Sequence, residues 1–435
     1  MELESWKAEF EGKKVLIWGY GMEGKSSYAF IRSLLPDQKL MIADSGNEDR
    51  LEKIRKETSD TEVLSDAAVD FSEYDLILKS PGIVIPEGFP KEHLSGEAQL
   101  FLKHYRNQVI GVTGTKGKST TTSLVHAVLS EKYRTHLIGN IGKACFDVIP
   151  DMQEGDLAAF ELSCHQLEFC PYSPHAAVYL NLFEEHLDHY GTLERYGAAK
   201  ANIFRHQQKG DLTILNQNLP YCREVADAIL IGKDIRAEGN HLIVPGHEID
   251  VNDCRLIGSH NYLNLAVAYE IGLRYGISDS QFLHAAANFQ PLHHRLEDLG
   301  EFHGIRYVND SISTIGQSCI QALKTLPETD TVLVGGMDRG IEYQELEDYL
   351  ASRKDLHIIF MYATGKRIYE ELKEQGRLTD NMVLTDDLSS AMAIARTATR
   401  PHHICLLSPA ASSYDHFRNF EERGDIFARM AKDEL

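Results

Sequence analysis

The chain has no run of about 18 or more apolar residues, so no segment is expected to cross a membrane as a helix. It also has no Cys-x-x-Cys pair. The seven cysteines, at 145, 164, 170, 222, 254, 319 and 405, are scattered, which argues against a disulfide framework and for reduced thiols in a cytoplasm. Cys164 and Cys170 are expected to pack as small apolar residues. The opening residues, Met-Glu-Leu-Glu-Ser-Trp-Lys, lack a basic stretch followed by an apolar one, so secretion is not expected. Positive charge is scarce: 44 Lys and Arg stand against 65 Asp and Glu, a net charge of −21. Nucleic acids and anionic membranes want a basic surface, so neither is an expected partner. An acidic protein can still hold an anionic nucleotide where loop amides supply the field. Internal repeats, low-complexity tracts and charge blocks are missing too.

What is present is ordinary for a globular chain. With 435 residues, 43% hydrophobic and 25% charged, two or three domains are expected. Apolar runs alternate with amphipathic segments: strands are expected at 14–18, 39–43 and 74–78, with a helix over 24–35. A further set of strands is expected at 305–308, 331–334, 357–361 and 403–407. Such alternation predicts parallel sheets with helices on their faces, and the economical division is three α/β domains over 1–105, 106–290 and 291–435.

The densest motif is Gly-Val-Thr-Gly-Thr-Lys-Gly-Lys-Ser-Thr at 111–120, between an apolar strand and a long helical segment. In that order, backbone N–H groups wrap nucleotide phosphates, Lys118 reaches them and Ser119 holds Mg²⁺. The strict spacing wants glycine where Val112 stands, so Gly114, Thr115, Lys116, Gly117 and Thr120 form a variant loop. A second glycine-rich turn, Gly19-Tyr20-Gly21-Met-Glu-Gly24, follows the first strand, and Asp44 comes twenty residues after Gly24. This fits NAD(P) or any nucleoside diphosphate, with Asp44 placed to accept from a ribose hydroxyl.

Glu161 ends an apolar run, where phosphate-loop enzymes commonly keep a Mg²⁺-binding carboxylate. His186 follows another strand, expected at 177–180, and reads either as a metal-site imidazole or as a hydrogen-bonded structural histidine. Lys200 lies in a helical segment, and by itself reads as a solvent-exposed lysine. The pairs His293-His294 and His402-His403 point their side chains apart and do not read as metal sites.

Taken in order, these motifs resemble the Mur ligases, the ATP-dependent amino-acid ligases of peptidoglycan assembly. The resemblance continues through His260-Asn261-x-x-Asn264, His294-Arg295, Asn309-Asp310-Ser311 and Gly335-Gly336-Met-Asp338-Arg339. It ends in Ser-Pro-Ala-Ala-Ser-Ser413-Tyr-Asp415-His-Phe417-Arg-Asn419-Phe420-Glu-x-Arg423-Gly, so that it covers essentially the whole chain. Within the family, the glycine-rich start and this ending resemble the branch that adds glutamate to UDP-N-acetylmuramoyl-L-alanine. Folylpolyglutamate synthases and the other Mur ligases are the next alternatives, and an NAD-dependent oxidoreductase or a non-catalytic ATP-binding regulator lie further off.

The resemblance implies a Rossmann-like N-terminal domain, a central phosphate-loop ATPase-like domain and a Rossmann-like C-terminal domain. Gly19, Tyr20, Gly21, Asp44, Ser45, Ser80, Gly82, Asn140, Ser163 and Gln166 would hold the uridine-diphosphate substrate. Residues 114–120 with Asn261, Asn264, Arg295, Asp310, Asp338 and Arg339 would hold ATP. Two Mg²⁺ would be held by Ser119, Glu161, His186 and Lys200, the lysine carrying a CO₂-derived carbamate. Thr314, Ser413 and Phe420 would contact glutamate. Only small-molecule partners and a cytoplasmic monomer are implied. In one respect the chain departs from the pattern: Ile312 stands where the glutamate-adding family usually has a lysine that pairs with a carboxylate of D-glutamate. Losing such a pair is worth roughly 2–5 kcal/mol. Either another cation, such as Arg306 or Arg339, replaces it and D-glutamate, the family's default, remains the substrate, or the pocket takes glutamate in another pose, including the L-enantiomer.

Overall fold

Short aliphatic strands, most of them buried on both faces and followed by helices, give two parallel sheets and a third that is parallel but for one edge pair. The computed structural model describes residues 2–58, 60–86, 88–254, 256, 258–290 and 293–434. The chain forms two compact units, one of residues 1–254 with 260–289, the other of 255–259 with 290–435.

The first unit contains a five-stranded parallel sheet in the order Glu62–Ser65, Leu40–Asp44, Val15–Trp18, Leu76–Lys79, Leu94–Ser95. Its strand order reverses beside Val15–Trp18, which opens a crevice at the carboxyl ends where the glycine-rich turn lies. The second sheet has six parallel strands, ordered Ile229–Ile231, Leu212–Asn216, Ala176–Tyr179, Val109–Thr113, Leu157–Glu161, Thr135–Gly139. Val109–Thr113 is its central strand and again the point of reversal. The two sheets share one core. Trp6, on the helix Glu2–Phe10, packs edge-on against Phe30 (5.3 Å) and Phe146 (5.2 Å), which serve different sheets. That shared core is why residues 1–105 and 106–254 cohere as one body.

A three-stranded antiparallel sheet, Arg236–Glu238, His241–Val244 and His247–Asp250, lies outside the expected α/β alternation. The second unit carries six strands ordered Glu297–Phe302, Ile305–Asn309, Ile404–Leu407, Thr329–Val334, His357–Met361, Met382–Thr385. All neighbours are parallel except the first pair, where a bulge between Asp298 and Gly300 marks an edge strand that the acidic sequence Glu-Asp-Leu-Gly-Glu-Phe conceals.

Candidate active site

The phosphate loop joins the strand Val109–Thr113 to the helix Lys118–Ser130. Gly117 caps the helix in the left-handed region, φ 82°, with Asn264 Oδ1 3.1 Å from where a Cβ would stand. Only glycine accepts both conditions cheaply. Asn181, two residues beyond the neighbouring strand Ala176–Tyr179, clamps the loop. Its Oδ1 accepts from the Thr115 N–H (3.1 Å) and Lys116 N–H (2.8 Å), and its Nδ2 donates to Lys116 O (2.9 Å). Thr115 Oγ1 accepts from the Phe183 N–H at 3.0 Å, and Lys118 Nζ folds back to donate to Thr115 O at 3.0 Å. Lys116 pairs with Glu185 at 2.8 Å. Asn261 and Asn264 are buried beside each other, 3.3 Å apart, in the helix Ser259–Arg274. Ser119 and Thr120 open the helix below the loop.

Lys200 overturns the reading of its own segment as solvent-exposed. Seven of the thirteen residues in the helix Leu193–Arg205 are buried, among them Gly197, Ala199 and Ala201, whose small side chains let it sink against the sheet. Lys200 is 1% exposed and donates to Gly114 O at 2.9 Å, with its ammonium 4.6 Å from the Tyr196 ring centre. Burial, reinforced by the charge of Lys118, drives its pKa down to about 7. Glu161 ends the strand Leu157–Glu161, 3% exposed, and its Oε2 is buried with no hydrogen-bond partner among the described residues. A buried carboxylate oxygen in that state calls for a cation. His186 lies close by, left-handed at φ 56°, its ring 5.9 Å from Tyr196.

The glycine-rich turn is fixed by close packing at its ends. A Cβ on Gly19 would meet Ser80 Oγ at 2.8 Å, and one on Gly24 would meet Gly19 O at 2.0 Å, whereas Gly21 faces open space. Ser80 Oγ donates to Gly19 O at 2.9 Å across the reversal point, with Gly82 exposed just beyond. Asp44 does not stand ready for a ribose hydroxyl. Its carboxylate already accepts from Tyr20 N–H (2.9 Å), Gly46 N–H (2.9 Å) and Arg50 Nε and Nη2 (2.6 and 2.9 Å). With both oxygens doubly engaged and the residue 4% exposed, Asp44 organises the turn, and exposed Ser45 is the neighbour left to solvent. Ser163 and Gln166 form a reciprocal cap on a short turn, and Gln166 Nε2 donates to Glu23 Oε1 at 2.7 Å, tying the second sheet to the glycine-rich helix. Burial raises Glu23 to about 7. Asn140 is exposed, its N–H donating to Glu161 O at 3.2 Å.

In the second unit the strand ends at the reversal point converge on one buried cation. Arg423, fully buried, donates to Ser311 Oγ (3.0 Å), Ser311 O (2.8 Å), Ala411 O (3.1 Å) and Ser412 O (3.3 Å). Burial lowers it to about 10. Ser311 Oγ donates in turn to Phe420 O at 2.8 Å, and Ser413 follows the two residues whose carbonyls Arg423 binds. Arg339 Nη2 donates to Thr314 O at 3.2 Å, so Thr314, Ser413, Phe420 and Arg339 are brought to one end of one sheet. Asp338 is engaged by Arg367 through both oxygens, at 2.7 and 3.0 Å. Asp310, raised to about 7 by burial, accepts from Ser408 Oγ at 2.9 Å. Arg295 Nε is buried with no hydrogen-bond partner among the described residues. Arg306 lies at the other end of its strand, bound by Asp298 at 2.6 and 3.1 Å, away from Thr314. Sequence reasoning assigned no work to Asn181 or Arg423. The signals were there: an asparagine just past a strand facing the loop, and an arginine one helical turn after Phe420.

A preformed loop for nucleotide phosphates, a buried carboxylate with one oxygen lacking a hydrogen-bond partner among the described residues, and a buried near-neutral lysine together define an enzyme of ATP-driven group transfer. A model of the Mur ligase middle domain matches residues 112–272. The chain is 32% identical over 98% of its length, and 96% of the relative's, to UDP-N-acetylmuramoyl-L-alanine--L-glutamate ligase of Xanthomonas euvesicatoria pv. vesicatoria (strain 85-10). It is 29% identical over 97% of its length, and 98% of the relative's, to UDP-N-acetylmuramoylalanine--D-glutamate ligase of Pelotomaculum thermopropionicum (strain DSM 13744 / JCM 10971 / SI). Its fold matches that of MurF ligase from Thermotoga maritima in complex with ADP, with a TM-score of 0.58, 16% identity and coverage of 98% and 97% of the two chains. The chain belongs to the Mur ligase family, and is an ATP-dependent, amide-forming ligase. Among the described residues no helix is long and apolar enough to cross a membrane.

Proposed function

We propose that this ligase joins L-glutamate to UDP-N-acetylmuramoyl-L-alanine in cytoplasmic peptidoglycan precursor synthesis, using ATP and releasing ADP and phosphate. The observation that carries the enantiomer is Ile312, an aliphatic residue where D-glutamate addition is expected to use lysine, together with the likeness to a ligase named for L-glutamate. Residues 1–105 are assigned to the UDP-substrate, 106–290 to ATP and 291–435 to the amino acid. Gly21, open to solvent, with Tyr20, Ser45, Ser80, Gly82, Asn140, Ser163 and Gln166, lines the proposed uridine-diphosphate side.

The substrate carboxylate attacks the γ-phosphate of ATP to give an acyl phosphate, which makes a poor leaving oxygen a good one. The amine of glutamate then adds, and phosphate leaves. The first step brings anions together, so the loop amides and Lys118 must supply opposing charge, which contributes most of the acceleration in such transfers. Ser119, Glu161, His186 and Lys200 are the residues that would hold Mg²⁺, and the orphaned Glu161 Oε2 fits a cation. Bound Mg²⁺ supplies neutralisation of phosphate charge. A Lys200 amine near neutrality at pH 7 fits carbamoylation by CO₂, which turns a cation into an anionic metal ligand. Arg339, exposed and touching Thr314, is the cation proposed for a glutamate carboxylate, because Arg306 is spent on Asp298.

The test is phosphate release from ATP with UDP-N-acetylmuramoyl-L-alanine and either enantiomer of glutamate, in separate reactions. Release with L-glutamate alone is expected. Release with D-glutamate alone overturns the enantiomer, and release with neither overturns the glutamate assignment.

A further inference from the structure

The turn Cys164–Leu167 and the turn Leu187–Tyr190 face each other in the first unit, and each carries side chains at i and i+3. From the first come His165 and Glu168; from the second, His186 at its cap and His189. Of these, His165, Glu168 and His189 bring one ligand-type atom each to within 4.8 Å of one another. His189 Nε2 lies 3.1 Å from Glu168 Oε2, and the His165 and His189 ring centres are 4.6 Å apart. The Tyr190 hydroxyl stands 3.3 Å from His165 Nδ1, the kind of second contact that fixes the ring of a ligating histidine. His189 and Glu168 side chains are only 9% and 23% exposed, so water competes weakly for them.

We propose that His165, Glu168 and His189 form a binding site for one divalent transition-metal ion, best matched by Zn²⁺, distinct from the Mg²⁺ ligands named above. Two imidazoles and one carboxylate are a zinc-type donor set, whereas Mg²⁺ prefers oxygen ligands in a strict octahedron. In a tetrahedral site with bonds of about 2.0–2.1 Å, ligand atoms lie roughly 3.3 Å apart, so the His189–Glu168 edge is already close to length. The three ligand atoms all lie within 4.8 Å of one another, so the edges to His165 close by at most about 1.5 Å through side-chain movement. Three protein ligands leave a fourth position for water or a substrate oxygen. The ion would staple the turn after Glu161 to the turn that carries His186. This inference stands on the cluster itself and does not depend on which amino acid the ligase adds.

The experiment is titration of the full chain with Zn²⁺ by calorimetry, in excess Mg²⁺, with Co²⁺ absorption in the visible range as a second readout. One equivalent should bind, with the intense visible bands of tetrahedral Co²⁺. Affinity should fall at least tenfold in His165→Gln, Glu168→Gln and His189→Gln, each checked for unchanged thermal unfolding without metal. No binding, or binding unchanged by all three substitutions, overturns the site. Binding lost in Cys164→Ser and His186→Gln but kept in Glu168→Gln overturns it in favour of the adjacent Cys164–His165–His186 group.

Discussion

Lys200 carries a cost that folding alone does not explain. An unfolded lysine holds its proton to about 10.5, whereas in the folded chain burial lets it go near 7. Below pH 7 both states are charged and the native state bears the full penalty; above 10.5 neither is charged. Stability owed to this residue therefore rises as pH climbs from about 7 to 10.5, by on the order of 1.4 kcal/mol for each pH unit crossed. Lys200→Met keeps the volume and removes the buried amine. It is expected to leave thermal unfolding at pH 7 unchanged or higher while phosphate release falls at least a hundredfold. Half-maximal activity should need less dissolved CO₂ at pH 8 than at pH 6, because the neutral amine is the reactive form; a flat response would count against carbamoylation. Arg339→Gln should raise KM for glutamate about tenfold or more, read by the same assay. The sequence could not show Lys200 to be buried, because burial came from small neighbours packing against a sheet, a tertiary effect. Nor could it show Asp44 saturated by Arg50, since that contact depends on how the chain turns after the strand.

At the scale of elements, strands with unbroken apolar runs were legible: Val109–Thr113, Leu157–Glu161 and His357–Met361 are buried nearly end to end. Strands with one wet face were not, and the antiparallel set around His241–Val244 exposes alternate residues in three- and four-residue pieces. The loops at strand ends follow the same division: the glycine-rich turns announced themselves, and their clamps did not. Asn181→Ala removes all three side-chain contacts to the phosphate loop. Nucleotide affinity, measured by calorimetry, should weaken about tenfold with the fold retained, as expected for a loop that must order itself on binding. Arg423→Met takes the guanidinium donor from the buried carbonyl oxygens of Ser311 and Ala411, while Ser412 O keeps the Met337 N–H and the Ser311 hydroxyl keeps Phe420 O. It should destabilise the chain by about 3 kcal/mol or more in urea unfolding.

Across the whole molecule, five of the seven cysteines are buried and two, Cys222 and Cys254, are partly exposed. Burial also raises the thiols of Cys145, Cys170, Cys319 and Cys405, which slows any reaction that needs a thiolate. A small alkylating reagent should therefore label at most two sites in the native protein and seven after unfolding, counted by intact mass. The division into α/β segments could be read from alternating patterns along the chain. The common core of the first two sheets could not, because Trp6, Phe30 and Phe146 come from stretches far apart in sequence. The clamp on the phosphate loop has a kinetic consequence. Because Asn181 and Lys200 already hold its backbone in shape, an arriving nucleotide meets a loop whose main chain is formed in advance and has chiefly the Lys118 side chain to swing round. Encounter should then run near the ordinary diffusional range, and differences between ATP analogues should show almost entirely in how long each one stays.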